Sequence, residues 1–348
     1  MPEITVCICT HDRPDYLHAC LDGLARQTVG SDRFEIVVVD SFGNPEAAAR
    51  VAALTDTMPN ARLVRVDRPG LSLARNAGAR AARGAYIAYI DDDAVAAPDW
   101  IARIADAIAR STPSPAVIAG RILPTWEQPL PGWWPPRLLG VLSIIEFAGE
   151  GEFRSPAVPP TLEPYGANMV VRRDAMLAVG GFNEATGRLG EALLSDEDVQ
   201  LAWTLQDRGE SVRYDGSIMV RHSIQASRMH PRWLLRRLYW QGASTFATRR
   251  LLGDGRFGAR ALARRLAVAA LLSWAALVPS GSTRLIAVRW RLAYSLGFLS
   301  AALRSPATAG ARPGRRLHPR KYTTLVAKQS VGLEPQPLTM PATDDRPA

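Results

Sequence analysis

Short apolar runs alternate with amphipathic segments through the first third of the chain. The apolar runs predict strands, and residues recurring three and four positions apart between them predict helices. Uniformly apolar strands separated by helices are typical of a mostly parallel sheet covered on both faces. We therefore predict an α/β fold. The predicted strands cover residues 4–9, 34–39, 61–66, 85–90 and 117–122.

Polar residues follow the predicted strands. The first strand is followed by Thr10 to Arg13, the second by Asp40 and the fourth by three consecutive aspartates, Asp91 to Asp93. In open α/β sheets, ligands bind at the carboxyl ends of the strands. The convergence of these polar residues predicts a binding site at that edge of the sheet.

The acidic triplet Asp91 to Asp93 is the strongest chemical feature of this edge. Three adjacent aspartates cannot all be buried without partners, because mutual repulsion and desolvation are costly. A hard divalent cation, with a diphosphate supplying further oxygens, would compensate them. A solvated acidic turn is the alternative. The continuous apolar strand before the triplet and Pro98-Asp99-Trp100 after it favour the metal.

The pattern loosens after residue 122 and then returns. Residues 124–165 contain many prolines with Trp126, Trp133 and Trp134, and predict a long irregular loop. A strand is predicted at residues 166–172, a helix from about Ser195, and two short strands of which the second ends at His222. Beyond residue 225 the chain is helical and rich in arginine to about residue 304. Residues 305–348 are rich in proline and glycine and predicted to be disordered.

Six motifs occur in a fixed order between residues 3 and 224. They are Thr10-His-Asp-Arg-Pro-Asp-Tyr-Leu, Val38-Val-Asp, Leu73-Ala-Arg-Asn-Ala-Gly, Ile87-Ala-Tyr-Ile-Asp-Asp-Asp, Gly180-Gly-Phe-Asn-Glu and Glu197-Asp198. In this order they resemble the signature of GT-A glycosyltransferases of family 2. The resemblance covers about two-thirds of the chain and implies a GT-A fold. It does not name the sugar.

The resemblance implies roles for the nucleotide half of the site. Asp40 would accept a hydrogen bond from the imide N–H of the base, usually uracil, and Thr10 and Arg13 would shape the base pocket. Arg75 and Asn76, at the start of a helix, would bind the nucleotide or its phosphates. Asp91 would contact the ribose, with Asp92 beside it. For the metal, Mn²⁺ or Mg²⁺, the implied ligands are Asp93, Asp91 and His222; a buried structural histidine is the alternative for His222.

The acceptor hydroxyl needs a general base, for which a carboxylate is expected. The resemblance implies Asp198 as catalytic base, with Glu197 and then Asp196 as reserves, because Ser-Asp-Glu-Asp here departs from the commoner Gly-Glu-Asp. Acids stabilised at a helix N-terminus are the alternative explanation. Asn168 and the three tryptophans at 126, 133 and 134 either line the acceptor side or simply pack.

The resemblance implies an inverting glycosyltransferase that moves a sugar from a nucleotide-diphosphate donor, with UDP-sugar preferred, to a hydroxyl of a saccharide or lipid-linked acceptor. Cell-envelope or polysaccharide biosynthesis is the expected setting. A nucleotidyltransferase is the rival enzyme, but no basic glycine-rich loop follows the first strand. A non-catalytic membrane-bound scaffold is the other rival. The intact Asp91, Asp93 and Asp198 argue against it.

Charge separates the C-terminal third from the rest. The net charge is +9, and eighteen arginines lie between Arg228 and Arg320. Arginine and tryptophan on amphipathic helices favour peripheral contact with an anionic membrane. A helical cap on the catalytic domain is the alternative, and nucleic acid is not expected because no recognition motif accompanies the charge. No uncharged run is long enough to span a bilayer.

These patterns predict a catalytic domain over residues 1–225, divided at 122 into a nucleotide-sugar half and an acceptor half. A basic helical extension would follow over residues 226–304. The chain opens directly in a strand pattern, so no signal peptide is expected. Cys7, Cys9 and Cys20 lack metal-ligand spacing and are expected to be reduced core thiols. The expected location is the cytoplasmic face of the cell membrane.

Overall fold

The computed structural model describes residues 3–188, 192–251, 259–278 and 282–304. Within these residues nine strands form one sheet. The strands are β1 (Ile4–Thr10), β2 (Phe34–Ser41), β3 (Ala61–Val66), β4 (Tyr86–Asp91), β5 (Ala94–Ala96), β6 (Val117–Trp126), β7 (Glu150–Glu152), β8 (Asn168–Arg172) and β9 (Val212–Ile224). The helices are α1 (Pro14–Ala25), α2 (Pro45–Asp56), α3 (Leu71–Ala81), α4 (Trp100–Ala109), α5 (Arg173–Ala178), α6 (Glu197–Asp207), α7 (Pro231–Leu251), α8 (Ala259–Leu272) and α9 (Thr283–Arg304), with short 3₁₀ helices at Ser31–Arg33, Pro136–Leu142, Ala226–Met229 and Ser273–Ala276.

The sheet is mixed. Its order is β3-β2-β1-β4-β8-β6-β9-β5, with β7 added beside β9. The first four strands of the chain run parallel, as predicted. Beyond β4 the prediction of a mostly parallel sheet is wrong: β8 is antiparallel to both β4 and β6, and β9 is parallel to β6 but antiparallel to β5 and β7. The two short strands predicted before His222 are the single strand β9.

Strand register aligns the polar residues at the carboxyl ends. Thr10 at the end of β1 pairs with Asp40 on β2, and Cys9 pairs with Asp91 on β4. Three neighbouring strands therefore end level with one another. This confirms that the polar residues after β1, β2 and β4 share one edge of the sheet.

The main core lies on both faces of the sheet. Strands β1, β2 and β4 are buried along almost their whole length, because helices cover them from each side. Cys7 and Cys20 are buried and Cys9 is partly buried, and all three are free thiols, as expected for core cysteines. A side chain at Gly78 would collide with the Cys7 sulfur at 2.3 Å, so glycine lets α3 pack closely on β1.

A second apolar cluster joins the segment after β6 to the C-terminal helices. Trp134 and Leu138 from that segment pack with Leu234 of α7 and Trp290 of α9, and Trp126 and Trp133 contact the same cluster. For these tryptophans the structure therefore supports packing. Asn168 is also structural: Trp100 Nε1 donates to its side-chain oxygen at 2.9 Å, and its amide nitrogen donates to two backbone carbonyls.

Helices α7 and α9 cross at two glycines. A side-chain carbon at Gly242 would lie 2.0 Å from the Tyr294 carbonyl oxygen, and one at Gly297 would lie 1.7 Å from the Tyr239 carbonyl oxygen. The absent side chains let the two backbones touch. Helices α7 and α9 therefore pack closely on each other, and the second apolar cluster joins both to the segment after β6.

Helix α8 differs from α7 and α9 because none of its described residues is buried, and Leu266 and Leu271 on it are exposed. In the described ranges, no helix has a stretch that is both long and apolar enough to cross a membrane. The predicted disordered tail, residues 305–348, lies outside the described residues. The membrane contact and the domain boundary at 225 stay predictions.

Candidate active site

A cavity of about 430 Å³ opens at the carboxyl ends of β1 and β4. Residues from α3, from the loop before β8, from α6 and from α7 complete its walls. It contains most of the chemical groups that the sequence analysis singled out. These are Thr10, Arg13, Arg75, Asp91, Asp92, Asp93, Asp196, Glu197, Asp198 and His222.

Asp92 is fully buried beneath the cavity floor. The Thr10 hydroxyl donates to one carboxylate oxygen at 2.8 Å, and the Arg13 guanidinium donates to the other at 2.5 Å. Burial raises the pKa of Asp92 to about 7, against the opposing effect of the Arg13 charge. Asp92 therefore links the acidic turn to the end of β1 and the start of α1, because Thr10 and Arg13 both donate to its carboxylate.

Asp93 is the most heavily compensated carboxylate of the site. Arg13, Arg228, Gln225 and the His222 ring all lie within 3.3 Å of its oxygens. Burial opposes its charge, but the histidine and the two arginines together hold the pKa of Asp93 well below its usual range. Asp93 is therefore an anion at neutral pH.

Asp91, Asp93 and His222 each offer one ligand atom, and these three atoms lie within 4.8 Å of one another. His222 reaches this place because it pairs with Ala94 of β5, directly after the acidic turn. Two carboxylate oxygens and an imidazole nitrogen are a donor set that Mn²⁺ and Mg²⁺ accept. The three predicted metal ligands are thus brought together by the fold, and their chemistry fits the predicted ion.

Asp40 faces a separate concavity, lined also by Phe42, Gly43, Arg65 and Asp67. Its carboxylate is almost fully buried, and its Oδ1 atom is without a hydrogen-bond partner. A buried acceptor without a donor is costly unless a ligand supplies one. Asp40 can therefore accept a hydrogen bond from a ligand N–H group.

Arg75 forms a buried bridge between the two halves of the site. Its Nη1 donates to Glu197 at 2.8 Å and its Nη2 to Asp91 at 3.2 Å. The side chains of Arg75 and Glu197 are 4% and 5% exposed. Burial and the negative charge of Asp198 raise the pKa of Glu197 to about 7, against the effect of Arg75. Arg75 thus donates to two carboxylates on the cavity wall, and its contact with the nucleotide or its phosphates stays a prediction.

Asp198 is held by backbone groups at the start of α6. Its Oδ2 accepts from the Gly166 N–H at 2.7 Å, and its Oδ1 accepts from the Val199 N–H at 2.8 Å. A side-chain carbon at Gly166 would lie 2.3 Å from Arg75 Nη2, so a larger residue there would displace the Arg75 guanidinium. Gly166 therefore lies against the Arg75 guanidinium, and its N–H orients the carboxylate of Asp198, the predicted base.

Asp196, the second reserve base, is tied to α7. Gln241 Nε2 donates to both of its carboxylate oxygens, at 2.8 and 3.1 Å, and the Ser195 hydroxyl donates at 3.0 Å. Its backbone is left-handed, with φ of 74°. Such a conformation is strained for a non-glycine residue. The three hydrogen bonds from Gln241 and Ser195 fix it and give Asp196 a structural role.

Asn76 does not line the cavity, contrary to the expectation that it binds the nucleotide. Its amide is satisfied by the Gly-Gly-Phe segment: it donates to the Phe182 carbonyl at 2.9 Å and accepts from the Phe182 N–H at 2.8 Å. Its amide also donates to Glu184. Asn76 therefore anchors the turn that follows α5.

Sequence reasoning missed the contribution of the C-terminal region to the cavity. Arg228, Arg237 and Gln241 all line it, although they lie beyond the predicted catalytic domain. Residues four apart share a helix face, and Arg237 and Gln241 are so spaced. The four-residue spacing of this polar pair was the feature of the sequence that could have indicated a shared polar face on the helix. The cavity also includes Glu163, whose pKa is raised well above its usual range by burial and by Asp196 and Asp198.

Residues 5–146 match the family model described as glycosyl transferase family 2. A glucosyl-dolichyl phosphate glucuronosyltransferase of Haloferax volcanii is 28% identical over 70% of this chain and 76% of its own length. The succinoglycan biosynthesis protein ExoM of Rhizobium meliloti is 26% identical over 69% of this chain and 73% of its own.

Two solved structures share the fold. The mannosyltransferase PcManGT of Pyrobaculum calidifontis, in complex with GDP-Man and Mn²⁺, aligns over 86% of this chain and 87% of its own with a TM-score of 0.57 and 20% identity. S. aureus TarS in complex with UDP-GlcNAc aligns over 87% and 92% with a TM-score of 0.52 and 14% identity. Through its ordered motifs and the matched segment the chain is similar to glycosyltransferase family 2, and its fold is the GT-A fold of these solved structures.

Proposed function

We propose that the protein transfers a sugar from a nucleotide-diphosphate donor to an acceptor hydroxyl, with inversion, by direct displacement. The observation that carries the proposal is the cluster of Asp91, Asp93 and His222 in the same cavity as Asp198. One end of such a cavity suits a metal-bound diphosphate, and the other offers a carboxylate for the acceptor. Both are needed for single displacement at an anomeric carbon.

On the donor side, Asp40 is proposed to hold the base through its unpaired Oδ1. Asp91, Asp93 and His222 would hold Mn²⁺ or Mg²⁺, which supplies neutralisation of the charge on the leaving diphosphate. Arg13 keeps Asp92 and Asp93 in place from below. UDP-sugar remains our preferred donor, and the solved structures of the fold include complexes with both UDP-GlcNAc and GDP-Man.

On the acceptor side, Asp198 is proposed to take the proton of the attacking hydroxyl. The Gly166 N–H holds one of its oxygens, so the carboxylate is oriented before the acceptor arrives. Glu197 is a weaker candidate because its Oε1 accepts from Arg75. Asp196 is weaker still, since Gln241 occupies both of its oxygens.

The acceptor is proposed to be a saccharide or a lipid-linked sugar. Support comes from the names of two relatives, one of which acts on glucosyl-dolichyl phosphate while the other takes part in succinoglycan biosynthesis. Cell-envelope or polysaccharide synthesis at the cytoplasmic membrane face is the corresponding setting.

Membrane contact is proposed to involve the outer surface of α8. Leu266, Leu271, Trp274 and Leu277 are 51 to 84% exposed there. Clustered exposed apolar side chains mark interaction surfaces. Arg260 and Arg264 lie on the same helix and would attract anionic headgroups.

A donor screen tests the proposal most directly. UDP-, GDP- and dTDP-sugars are incubated with the protein, with and without Mn²⁺, and release of the nucleoside diphosphate is measured. Metal-dependent release from at least one donor is expected. Release of pyrophosphate from a nucleoside triphosphate would instead support a nucleotidyltransferase, and absence of any nucleotide binding would support the scaffold alternative.

A further inference from the structure

Arg237 is a cavity residue supplied by the C-terminal helices. It lies on α7, one turn before Gln241, and both side chains line the cavity that holds the acidic triplet and Asp198. Gln241 is committed to Asp196. The guanidinium of Arg237, by contrast, donates to no carboxylate among the described residues.

Three other arginines of the cavity are paired with carboxylates. Arg13 contacts Asp92 and Asp93, Arg75 contacts Asp91 and Glu197, and Arg228 contacts Asp93. Among the described residues, no carboxylate oxygen lies within the 4.0 Å of an ion pair from Arg237. Its cationic charge is therefore the least compensated of the four.

The hydrogen bonds of Arg237 are also incomplete. Its Nη2 donates to the Ser195 hydroxyl at 3.2 Å, while its Nη1 is buried and has no acceptor in the described part of the chain. Burial lowers the pKa of Arg237, and the charge of Arg188 on the same cavity wall lowers it further, against the attraction of Asp196. A guanidinium with spare donors in such a place fits a ligand that brings negative charge.

We infer that Arg237, assisted by Arg188, forms an anion subsite that binds a phosphate group of the substrates. Guanidinium groups bind phosphate oxygens with paired N–H donors, which is a chemistry that a neutral sugar hydroxyl does not match. The subsite rests on the proposed function, because the cavity must admit substrates. It deepens that function by stating that α7 recognises phosphate.

Two substrates could supply the phosphate. One is the diphosphate of the nucleotide donor, and the other is the phosphate of a lipid-linked acceptor. Both present anionic oxygens to a guanidinium. Replacement of Arg237 would weaken binding of the nucleotide in the first case and binding of the lipid phosphate in the second. The experiment therefore has one arm for each source.

The test uses the full chain with Arg237→Gln, which keeps a long polar side chain and removes the charge. Arg232→Gln is the matched control, since Arg232 lies on the same helix with an exposed side chain and outside the cavity. Calorimetry measures UDP and GDP with Mn²⁺ in the first arm and geranyl phosphate in the second. Differential scanning fluorimetry of the unliganded proteins runs in parallel.

We expect Arg237→Gln to weaken one of the two classes of probe at least tenfold, with Arg232→Gln unchanged. Loss of nucleotide binding assigns the subsite to the donor, and loss of geranyl phosphate binding alone assigns it to the acceptor. The unliganded Tm of Arg237→Gln should equal or exceed that of the parent, because a weakly compensated, partly buried cation has been removed. A purely structural arginine would instead give a lower Tm.

Unchanged affinity for every probe in Arg237→Gln overturns the subsite. So does a lower Tm with unchanged affinity per folded molecule. Failure of the proposed function has a different signature, because the parent protein itself would then bind neither UDP nor GDP and release no nucleotide from any donor sugar.

Discussion

Arg75 Nη1 lies 2.8 Å from Glu197 Oε1, although the two residues are 122 positions apart in the chain. Through its other nitrogen Arg75 also contacts Asp91, so one buried side chain joins the metal cluster to the helix that carries Asp198. Breaking one partner of a buried ion pair leaves an uncompensated charge and costs about 3–5 kcal/mol. The spacing between the two chemical groups therefore depends on this pair.

The pair makes stability depend on pH in a defined direction. Burial and Asp198 raise the pKa of Glu197 to about 7, against the charge of Arg75 and with a smaller contribution from Asp196. A carboxyl whose pKa is higher in the folded state favours the protonated fold, so its stabilising effect declines as pH rises from about 4.5 to about 7. Glu197→Gln cannot ionise and escapes this decline.

We therefore expect the Tm of Glu197→Gln, relative to the parent, to rise between pH 5 and pH 7 and then level off. Thermal unfolding across that range in both proteins measures the difference. A difference that stays constant with pH would show that Glu197 ionises at the same pH in the folded and unfolded chain.

Asp93 should be required for metal-dependent nucleotide binding. Asp93→Asn keeps the size of the side chain and removes the charge that a divalent cation needs. Binding of UDP in the presence of Mn²⁺ should weaken by about 10- to 100-fold. Asp99→Asn is the control, because Asp99 forms an exposed pair with Arg103 away from the cavity. Undiminished affinity in Asp93→Asn, or in EDTA for the parent, would refute the metal assignment.

Asp198 should act in the transfer step and contribute little to donor binding. Asp198→Asn preserves the hydrogen bond from the Gly166 N–H but removes basicity, so kcat should fall by about 10²-fold or more with donor KM nearly unchanged. Asp196→Asn should mainly lower Tm, since Gln241 and Ser195 fix that carboxylate. Full activity in Asp198→Asn together with loss in Glu197→Gln would move the base to Glu197.

The crossing of α7 and α9 should not tolerate a methyl group. Alanine normally stabilises a helix relative to glycine by about 1 kcal/mol. At Gly297 the added carbon would lie 1.7 Å from the Tyr239 carbonyl oxygen, so Gly297→Ala should instead destabilise by about 1–3 kcal/mol. Chemical denaturation measures the sign. Gly132→Ala, where nothing lies within 4 Å, should change stability by less than about 0.5 kcal/mol.

Liposome sedimentation tests the proposed membrane surface. The exposed pair Leu271 and Leu277 is changed to serine, which leaves α7 and the cavity intact, whereas truncation at residue 225 would remove a cavity wall. Binding of the parent should require anionic lipid and weaken in high salt, because electrostatic attraction to the surface is screened. The double serine variant should bind less. Lack of binding by the parent to anionic liposomes would contradict the proposal.

The pattern along the chain was sufficient for the first four strands and the helices between them. The apolar residues of β1, β2 and β4 are buried on both sides, so the signal is continuous and local. The pattern was insufficient for β8 and β9, because antiparallel pairing with distant strands depends on how the sheet closes. The acidic turn was predictable because its three charges follow a buried strand directly, and a local sequence of that kind admits few explanations.

Sequence alone thus determined the α/β core, the acidic turn and the resemblance to glycosyltransferase family 2. Only the tertiary structure decided which side chains share the cavity. In the structure Asn76 binds the Phe182 backbone outside the cavity, and Arg75 donates to Glu197. Arg237, from the C-terminal helices, lines the cavity. The physical reason is that such contacts are fixed by packing between segments far apart in the chain. The residues next to a position in the sequence do not indicate which distant residue it contacts in the fold.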